Sequence, residues 1–279
     1  MSENSSNQLT VVTRFRDLHT SGCFVLPNPW DIGSAIYLEH LGFKALATTS
    51  AGFAFSRGLQ DSAVPRDLML DHIREISTAT SLPVNADFQA GYADEPEGVA
   101  ANVTRCVATG VSGLSIEDSS GNSAAPLYEF DLAVDRIKAA RAAIDASGIP
   151  VVLTARCEAW LMGQPDPLRV ALERLIAFAE AGADCLYAPG VSQPEEIAAI
   201  VKAVSPKAVN VLVSKFNSDL TVSQLADLGV RRISVGSALA NVAWGAFMSA
   251  ARRIKDVGTF DGLANAAAFK EIDDLFAKR

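Results

Sequence analysis

Apolar residues recur along the chain in eight strand-like runs: CFVL (23–26), ALATTS (45–50), PVNADF (83–88), GLSIED (113–118), PVVLTAR (150–156), CLYAPG (185–190), VNVLVS (209–214) and RISVGS (232–237). Between them the apolar positions fall at helical spacing, as at Leu68, Leu70, Ile73 and Ile76, or at Leu168, Leu172, Leu175, Ile176 and Ala179. Several of these stretches end on glycine before the next strand, at Gly110, Gly148, Gly182 and Gly229, where a left-handed helix cap belongs. Strand alternating with helix eight times predicts an α/β fold of the (β/α)8 TIM barrel type. An open doubly wound sheet is the other candidate. It would place a glycine-rich nucleotide turn after the first strand, where this chain reads PNPWD. Residues 1–8 are expected to be disordered, 9–260 to form the barrel, and 261–279 to add an amphipathic helix outside the eight units.

Composition narrows the partners. The chain has 279 residues, 49% of them hydrophobic, enough for one large core that buries roughly three quarters of the unfolded surface. No apolar stretch approaches the ~18 residues of a membrane span, and MSENSSNQLT lacks the basic start and apolar segment of a signal peptide. A net charge of -8 with no Lys/Arg cluster argues against nucleic acid and for a small-molecule partner. Cys23, Cys106, Cys157 and Cys185 show no C-x-x-C spacing and read as reduced packing thiols of a cytoplasmic protein.

A barrel carries its chemistry at the carboxyl ends of its strands. There the chain offers Asn28, Trp30 and Asp31, then Thr49 and Ser50, Asn85 and Asp87, Glu117 and Asp118, Arg156 and Glu158, and finally Pro189, Ser214 with Lys215, and Ser237. Residues two apart share a strand face, so Asn85 with Asp87, Ser115 with Glu117, and Thr154 with Arg156 and Glu158 point into one mouth. Asp87 and Glu117, with Asp61 and Asp118 in reach, make an oxygen-rich pocket. His19, His40 and His72 fall in helical segments, so the donor set suits a hard cation, Mg²⁺ rather than Zn²⁺. Taken singly, each acid could equally cap a helix or pair with Arg156. Arg156 cannot shed its charge. It either neutralises Glu158 or binds a carboxylate or a developing enolate oxygen, a task worth ~3 kcal/mol or ~10²-fold in rate. The stretch TTSAG (48–52) offers backbone N–H groups for a carboxylate, or a plain turn.

LPNPWD, TTSAGFAFSRGLQD, NADFQAGYADEP, IED and TARCEAWLMG, in this order and at these spacings, resemble the isocitrate lyase and phosphoenolpyruvate mutase superfamily over almost the whole chain. The resemblance implies a (β/α)8 barrel that binds Mg²⁺ and a small 2-oxo acid and makes or breaks a bond next to an enolpyruvate. It implies Asp87 and Glu117 in the metal shell, Asp61 as an outer acid and Arg156 on the enolate or carboxylate. Ser50, Ala51 and Gly52 then form the carboxylate nest and Trp30 the pocket wall. Asn122 matches an asparagine of the mutases, or is turn chemistry, and Asn210 completes the candidate substrate contacts. It also points to a homotetramer or homodimer, with the helix after Asp261 packed on a neighbour through Leu263, Ala267, Ile272 and Phe276.

Three departures bear on the reaction. The family's D-A-D-x-G-Y-G reads here as Asn85-Ala86-Asp87-Phe88-Gln89-Ala90-Gly91-Tyr92, with one acid made an amide. The K-x-C-G-H loop of the isocitrate and methylisocitrate lyases is replaced by SSGNSAAPLYEF, and Pro189 stands where phosphonopyruvate-handling members have a histidine. Without the loop thiol, a proton must come from water or from a residue such as Tyr92 or Glu158. The expected activity is a Mg²⁺-dependent lyase acting on a small 2-oxo or 2-hydroxy di- or tricarboxylate through an enolpyruvate-like intermediate, decarboxylation of an oxaloacetate-type substrate included. The nearest alternatives are phosphonopyruvate or phosphoenolpyruvate chemistry and a Schiff-base aldolase using Lys215. A glycine- and serine-rich segment from 119 to 130 is the expected cover of the mouth.

Overall fold

The computed structural model describes residues 3–214 and 219–277. Eight parallel strands, β1 (Phe24–Leu26), β2 (Leu46–Ala47), β3 (Val84–Asp87), β4 (Gly113–Glu117), β5 (Val152–Arg156), β6 (Cys185–Tyr187), β7 (Ala208–Leu212) and β8 (Arg232–Ser234), pair in the order β1-β8-β7-β6-β5-β4-β3-β2. The backbone N–H of Ala47 donates to Pro27 O at 3.0 Å across the remaining seam and nearly closes the barrel. Around it run α2 (Ile32–His40), α3 (Ser50–Ser56), α4 (Arg66–Ala79), α5 (Pro96–Val107), α6 (Phe130–Ser147), α7 (Pro167–Glu180), α8 (Pro194–Val204), α9 (Val222–Asp227) and α10 (Ala238–Arg252). Every predicted strand is present, most of them shorter than their apolar runs. The four glycines expected to end helices all have left-handed backbones, with φ of +95°, +71°, +103° and +88° at Gly110, Gly148, Gly182 and Gly229.

Two layers of core position the mouth. The larger lies between sheet and helices and includes Phe88, Leu114, Ile116, Leu153, Cys157 and Leu186, all outward or β/α-layer residues buried to within 1%. The smaller fills the base of the barrel, where Phe15 of α1 (Glu3–Leu18) meets Phe24, Leu26, Val152 and Cys185. α1 extends into the stretch 1–8 for which disorder was expected. α1 begins at Glu3 because its apolar face, Val12 and Phe15, closes the barrel floor, and Gln8 Nε2 donates to Val107 O and Val111 O, each at 3.0 Å.

The carboxyl-terminal end also departs from expectation. A 3-10 turn over Asp261–Leu263 precedes α11 (Phe269–Ala277), so the last helix starts later than Asp261. Among the described residues no helix is long and apolar enough to cross a membrane.

Candidate active site

The mouth is built by β3, β4 and β5, in register Asp87↔Ser115 and Glu117↔Arg156. That pairing sets Asp87, Glu117 and Arg156 side by side on the inward face. Arg156 Nη1 lies 3.3 Å from Glu117 Oε2 and 3.6 Å from Asp87 Oδ1, while its Nε donates to Glu158 Oε1. A cavity of about 50 Å³ opens here, lined by Asn28, Asp87, Arg156, Tyr187, Asn210 and Arg232 among others. It has room for one or two waters, so a substrate must lodge above it or displace a side chain.

The electrostatics follow from four acids around one cation. Burial alone would lower the Arg156 guanidinium, but Glu158, Glu117, Tyr187 and Asp87 hold it charged, above its ordinary value. Burial pushes Glu117 up to about 8, with Arg156 opposing and Glu158, Asp87 and Asp61 adding. Asp61 is exposed at the rim, yet its carboxyl turns toward Ser50 and Gln89 and is raised, first by desolvation, with Asp87 adding. Burial, then Asp87, Asp61 and Glu117, raise the Tyr92 phenol and keep it protonated. Its hydroxyl is buried and has no hydrogen-bond partner among the described residues, a donor left over beside the carboxylates.

Other expected residues are placed differently. Asp118 is turned out of the mouth by the same alternation that turns Glu117 in. It lies under the β5 loop, accepting from Glu158 N at 2.8 Å and from Arg174 Nη1 at 3.1 Å. The nest is half spent: Ser50 N donates to Asp87 Oδ2 at 2.9 Å, and Gly52 N to the cap Thr49 Oγ1 at 3.2 Å. Gly52 itself is required by packing, since a Cβ there would meet Thr49 Cγ2 at 2.6 Å and Trp30 Cβ at 3.0 Å. Trp30 therefore walls the start of α3. Asn122 is exposed and makes a turn, its Oδ1 accepting from Ala124 N at 3.0 Å, so it stays outside the mouth. Asn210 lines the cavity but spends its amide on Ser234 Oγ, at 2.9 Å, and on Arg232 Nε. The segment 119–130 is pinned at its base by a bridge between Ser119 and Leu127, which leaves only a short exposed tip around Gly121. Lys215 falls outside the described residues.

Two residues at the mouth and its floor were not singled out from the sequence. Gln89, in a left-handed conformation with φ of +47°, donates from Nε2 to Asp61 O at 3.0 Å, and its own carbonyl accepts from Glu117 N. Arg232 is 2% exposed beneath the mouth, and the signal for it was a charged residue at the head of a barrel strand.

An eight-stranded barrel with acids and an arginine converging at its carboxyl face has the layout of an enzyme active site. The chain belongs to the phosphoenolpyruvate phosphomutase family, whose model matches residues 15–255, and is an enzyme of the lyase type found in the isocitrate lyase and phosphoenolpyruvate mutase superfamily. A crystal structure from Burkholderia cenocepacia J2315, provisionally described as a lyase/mutase, superposes with a TM-score of 0.94 at 46% identity, over 97% of this chain and 98% of that one. The 2-methylisocitrate lyase of Escherichia coli K12 is 32% identical over 57% of this chain and 55% of its own length. The oxaloacetate decarboxylase of Paraburkholderia xenovorans LB400 is 30% identical over 67% of this chain and 63% of its own.

Proposed function

We propose that this enzyme is a Mg²⁺-dependent lyase that breaks a carbon-carbon bond, decarboxylation included, in a small 2-oxo or 2-hydroxy di- or tricarboxylate through an enolpyruvate-like intermediate. The observation that carries the reading is the Arg156 guanidinium held between Asp87 and Glu117 at the barrel mouth. The activities named for the two relatives support it.

The donor set fits the ion. Asp61, Asp87, Glu117 and Glu158 outnumber the single arginine, and the orphaned Tyr92 hydroxyl sits with them, so the cluster lacks positive charge. Among the described residues no three His, Cys, Asp or Glu side chains converge as a ready cage. Mg²⁺ keeps several waters and takes one or two carboxylates, so a pair of acids would be enough to hold it. Asp87 and Glu117 would hold it, and it would supply fixed positive charge beside a developing enolate oxygen. Arg156 binds the substrate carboxylate or shares the enolate charge. The proton for the enolate carbon comes from water or from a residue such as Tyr92 or Glu158, and Asp61 adds to the negative charge around them. Trp30 and the remaining N–H group of Ala51, held in place by the turn at Ser50 and Gly52, form the substrate side of the wall.

A panel of 2-oxo and 2-hydroxy acids followed for pyruvate release, with and without Mg²⁺, tests the reading; no turnover on any member would reject it. Asp87→Ala should remove activity together with Mg²⁺ binding by calorimetry. Phosphonopyruvate belongs in the panel because the family model is that of a phosphomutase, and release of phosphate or phosphoenolpyruvate would select that second reading. Borohydride trapping with substrate would reveal a Schiff base at Lys215.

We also infer a homo-oligomer, tetramer or dimer, in which a second copy covers the carboxyl-terminal helices. Only Ala240 of α10 is buried, and Val242, Phe247 and Phe269 are 71%, 62% and 82% exposed. Leu263, Ala267, Ile272 and Phe276, expected to need a partner, are all exposed, Ala267 along the groove between α2 and α11. Light scattering on the full chain and on one ending at Gly258 should show assembly for the first alone.

A further inference from the structure

The three loops that carry the candidate catalytic groups, after β3, β4 and β5, do not rest on the strands alone. Behind the mouth they are connected through one residue, Tyr128, by its side chain to the loop after β3 and by its backbone, through Arg174 and Asp118, to the loop after β5. Its hydroxyl donates to Asp94 Oδ1 at 2.6 Å, which ties the loop after β3 to the loop after β4. Its ring lies under the Arg136 guanidinium, 4.0 Å from carbon to centroid. Its backbone N–H donates to Asp118 O at 2.9 Å, and its carbonyl accepts from Arg174 Nη2 at 2.7 Å. Arg174 in turn holds Asp118, and Asp118 holds the backbone of Glu158, the partner of Arg156.

Arg136 has an unusual set of partners. It is 1% exposed and donates to the carbonyls of Ala90, Ala93 and Asp94. Asn102 Nδ2 takes the two carbonyls between them, Gly91 O at 2.9 Å and Tyr92 O at 3.1 Å. Five consecutive carbonyls, 90 to 94, are thus captured by two buried side chains. Without that capture the loop has no reason to keep Gln89 and Tyr92 in left-handed conformations, φ +47° and +56°, which cost non-glycine residues of order 1 kcal/mol or more each. Tyr128 is what orders Arg136: the ring packs against the face of the guanidinium and the hydroxyl fixes the neighbouring Asp94.

The geometry points to Tyr128 as a positioning residue, a clasp outside the mouth that locks the loops of Tyr92, Glu117 and Arg156 into one arrangement. It touches no reacting atom. Its effect on rate runs through the placement of Tyr92 on one side and of Arg156, through Asp118 and Glu158, on the other. The catalytic part of this inference rests on the lyase reading above; the clasp itself does not.

The variant is Tyr128→Phe, which keeps the ring over Arg136 and removes only the bond to Asp94. Hydrogen exchange of the substrate-free protein should show faster exchange in 88–95 as well as in 119–130. Steady-state kinetics on whichever panel member is turned over should show kcat lowered about 10-fold with KM little changed, in the range for second-layer substitutions. Tyr128→Phe combined with Asp94→Ala should lose no more than the larger of the two single losses, because both break the same bond. Unchanged exchange in 88–95 would overturn the clasp. Faster exchange with unchanged kcat would overturn the positioning role and leave Tyr128 as packing. If the wild-type protein turns over no panel member, the lyase reading fails, and the exchange result alone decides the clasp.

Discussion

Two arginines, Arg156 half-buried and Arg232 fully buried, line the same cavity one layer apart, and their surroundings could hardly differ more. Arg156 at the mouth faces Asp87, Glu117 and Glu158. Arg232 on the floor donates to Asn210 Oδ1 at 2.9 Å, to Thr154 Oγ1 at 3.0 Å and, more loosely, to Asn85 Oδ1 at 3.5 Å, and no carboxylate pairs with it among the described residues. Its Nη1 also lies 3.3 Å from His19 Nε2, and the His19 Nδ1 lies 2.7 Å from Phe15 O. A neutral ring protonated on Nδ1 satisfies both contacts. The floor spends its cation on neutral acceptors that tie β8 to β7, β5, β3 and α1, which is structural work. The mouth sets its cation against an excess of acids, which leaves charge to be completed by ligands. Asn85, the amide in place of the family's acid, belongs to the floor in this division: its carbonyl serves Arg232 while Asp87 serves the mouth.

Substituting the two arginines is the strongest way to break this division. Arg156→Gln should lower kcat/KM by about 10²-fold or more while the protein melts near the wild-type temperature, since it removes the guanidinium that meets the developing charge. Arg232→Gln should do the reverse, costing about 2 kcal/mol of stability through donors and acceptors left unpaired in the floor, with a smaller loss of activity. Chemical denaturation and initial rates on both variants decide it. Two variants that lose activity and stability alike would erase the distinction.

The alternation of side chains along β3 to β5 made the mouth legible from sequence, because a barrel has only one inside and the acids and Arg156 lie at odd steps along their strands. The same rule already placed Asp118 on the outer face; its nearness to Glu117 in sequence suggested a shared pocket that the strand's pleat forbids. The half-spent nest and the turn at Asn122 were not legible, since they depend on which N–H groups neighbouring loops consume. Tyr128, Arg136 and Arg174 were invisible for a related reason. They act between loops, and no periodicity along one segment records a contact between three. The start of α1 was missed because its polar first turns hide the apolar face, Val12 and Phe15, that plugs the floor.

The buried histidines, His19 at the floor and His72 on α4, and Glu117 at the mouth should respond to pH in opposite directions. Burial and Arg232 lower His19 to about 3, and burial lowers His72, stacked on Phe53 at 3.8 Å, to about 4. The unfolded chain takes up these protons near pH 6.5 and the folded chain refuses them until far lower. Their contribution is therefore complete above about pH 6.5 and is lost as the pH falls toward 4, by about 3 kcal/mol for His72. Glu117 is the reverse case. Its folded carboxyl is raised to about 8, so in metal-free protein its contribution is complete below the ordinary carboxylate range and is lost as the pH rises toward 8. Melting temperatures measured in chelator from pH 4 to 9 should thus fall at both ends. His72→Phe should flatten the acid limb and Glu117→Gln the alkaline one; a variant that flattens the wrong limb, or neither, would reject the assignment.

The smallest expected effect is that of thiol alkylation, and it sharpens the comparison because one cysteine lies beside each arginine's layer. Cys157 follows Arg156 and is wholly buried among the apolar residues of the β/α layer, while Cys185 is wholly buried in the floor cluster. Burial raises both thiols, and Asp118 adds to the rise at Cys157, so neither offers a thiolate at neutral pH. Cys106 is buried on α5 and raised by burial; Cys23 is half-buried just before β1, raised chiefly by burial with Arg231 opposing. None of the four stands in the loop after β4, where the lyases with a K-x-C-G-H segment carry their thiol. Iodoacetamide should therefore label Cys23 at most, and turnover should survive it. Mass spectrometry of the treated enzyme identifies the modified residue. Loss of turnover on labelling one cysteine, with protection by saturating substrate, would show a thiol working at the mouth and would give the proton-donor role to that cysteine.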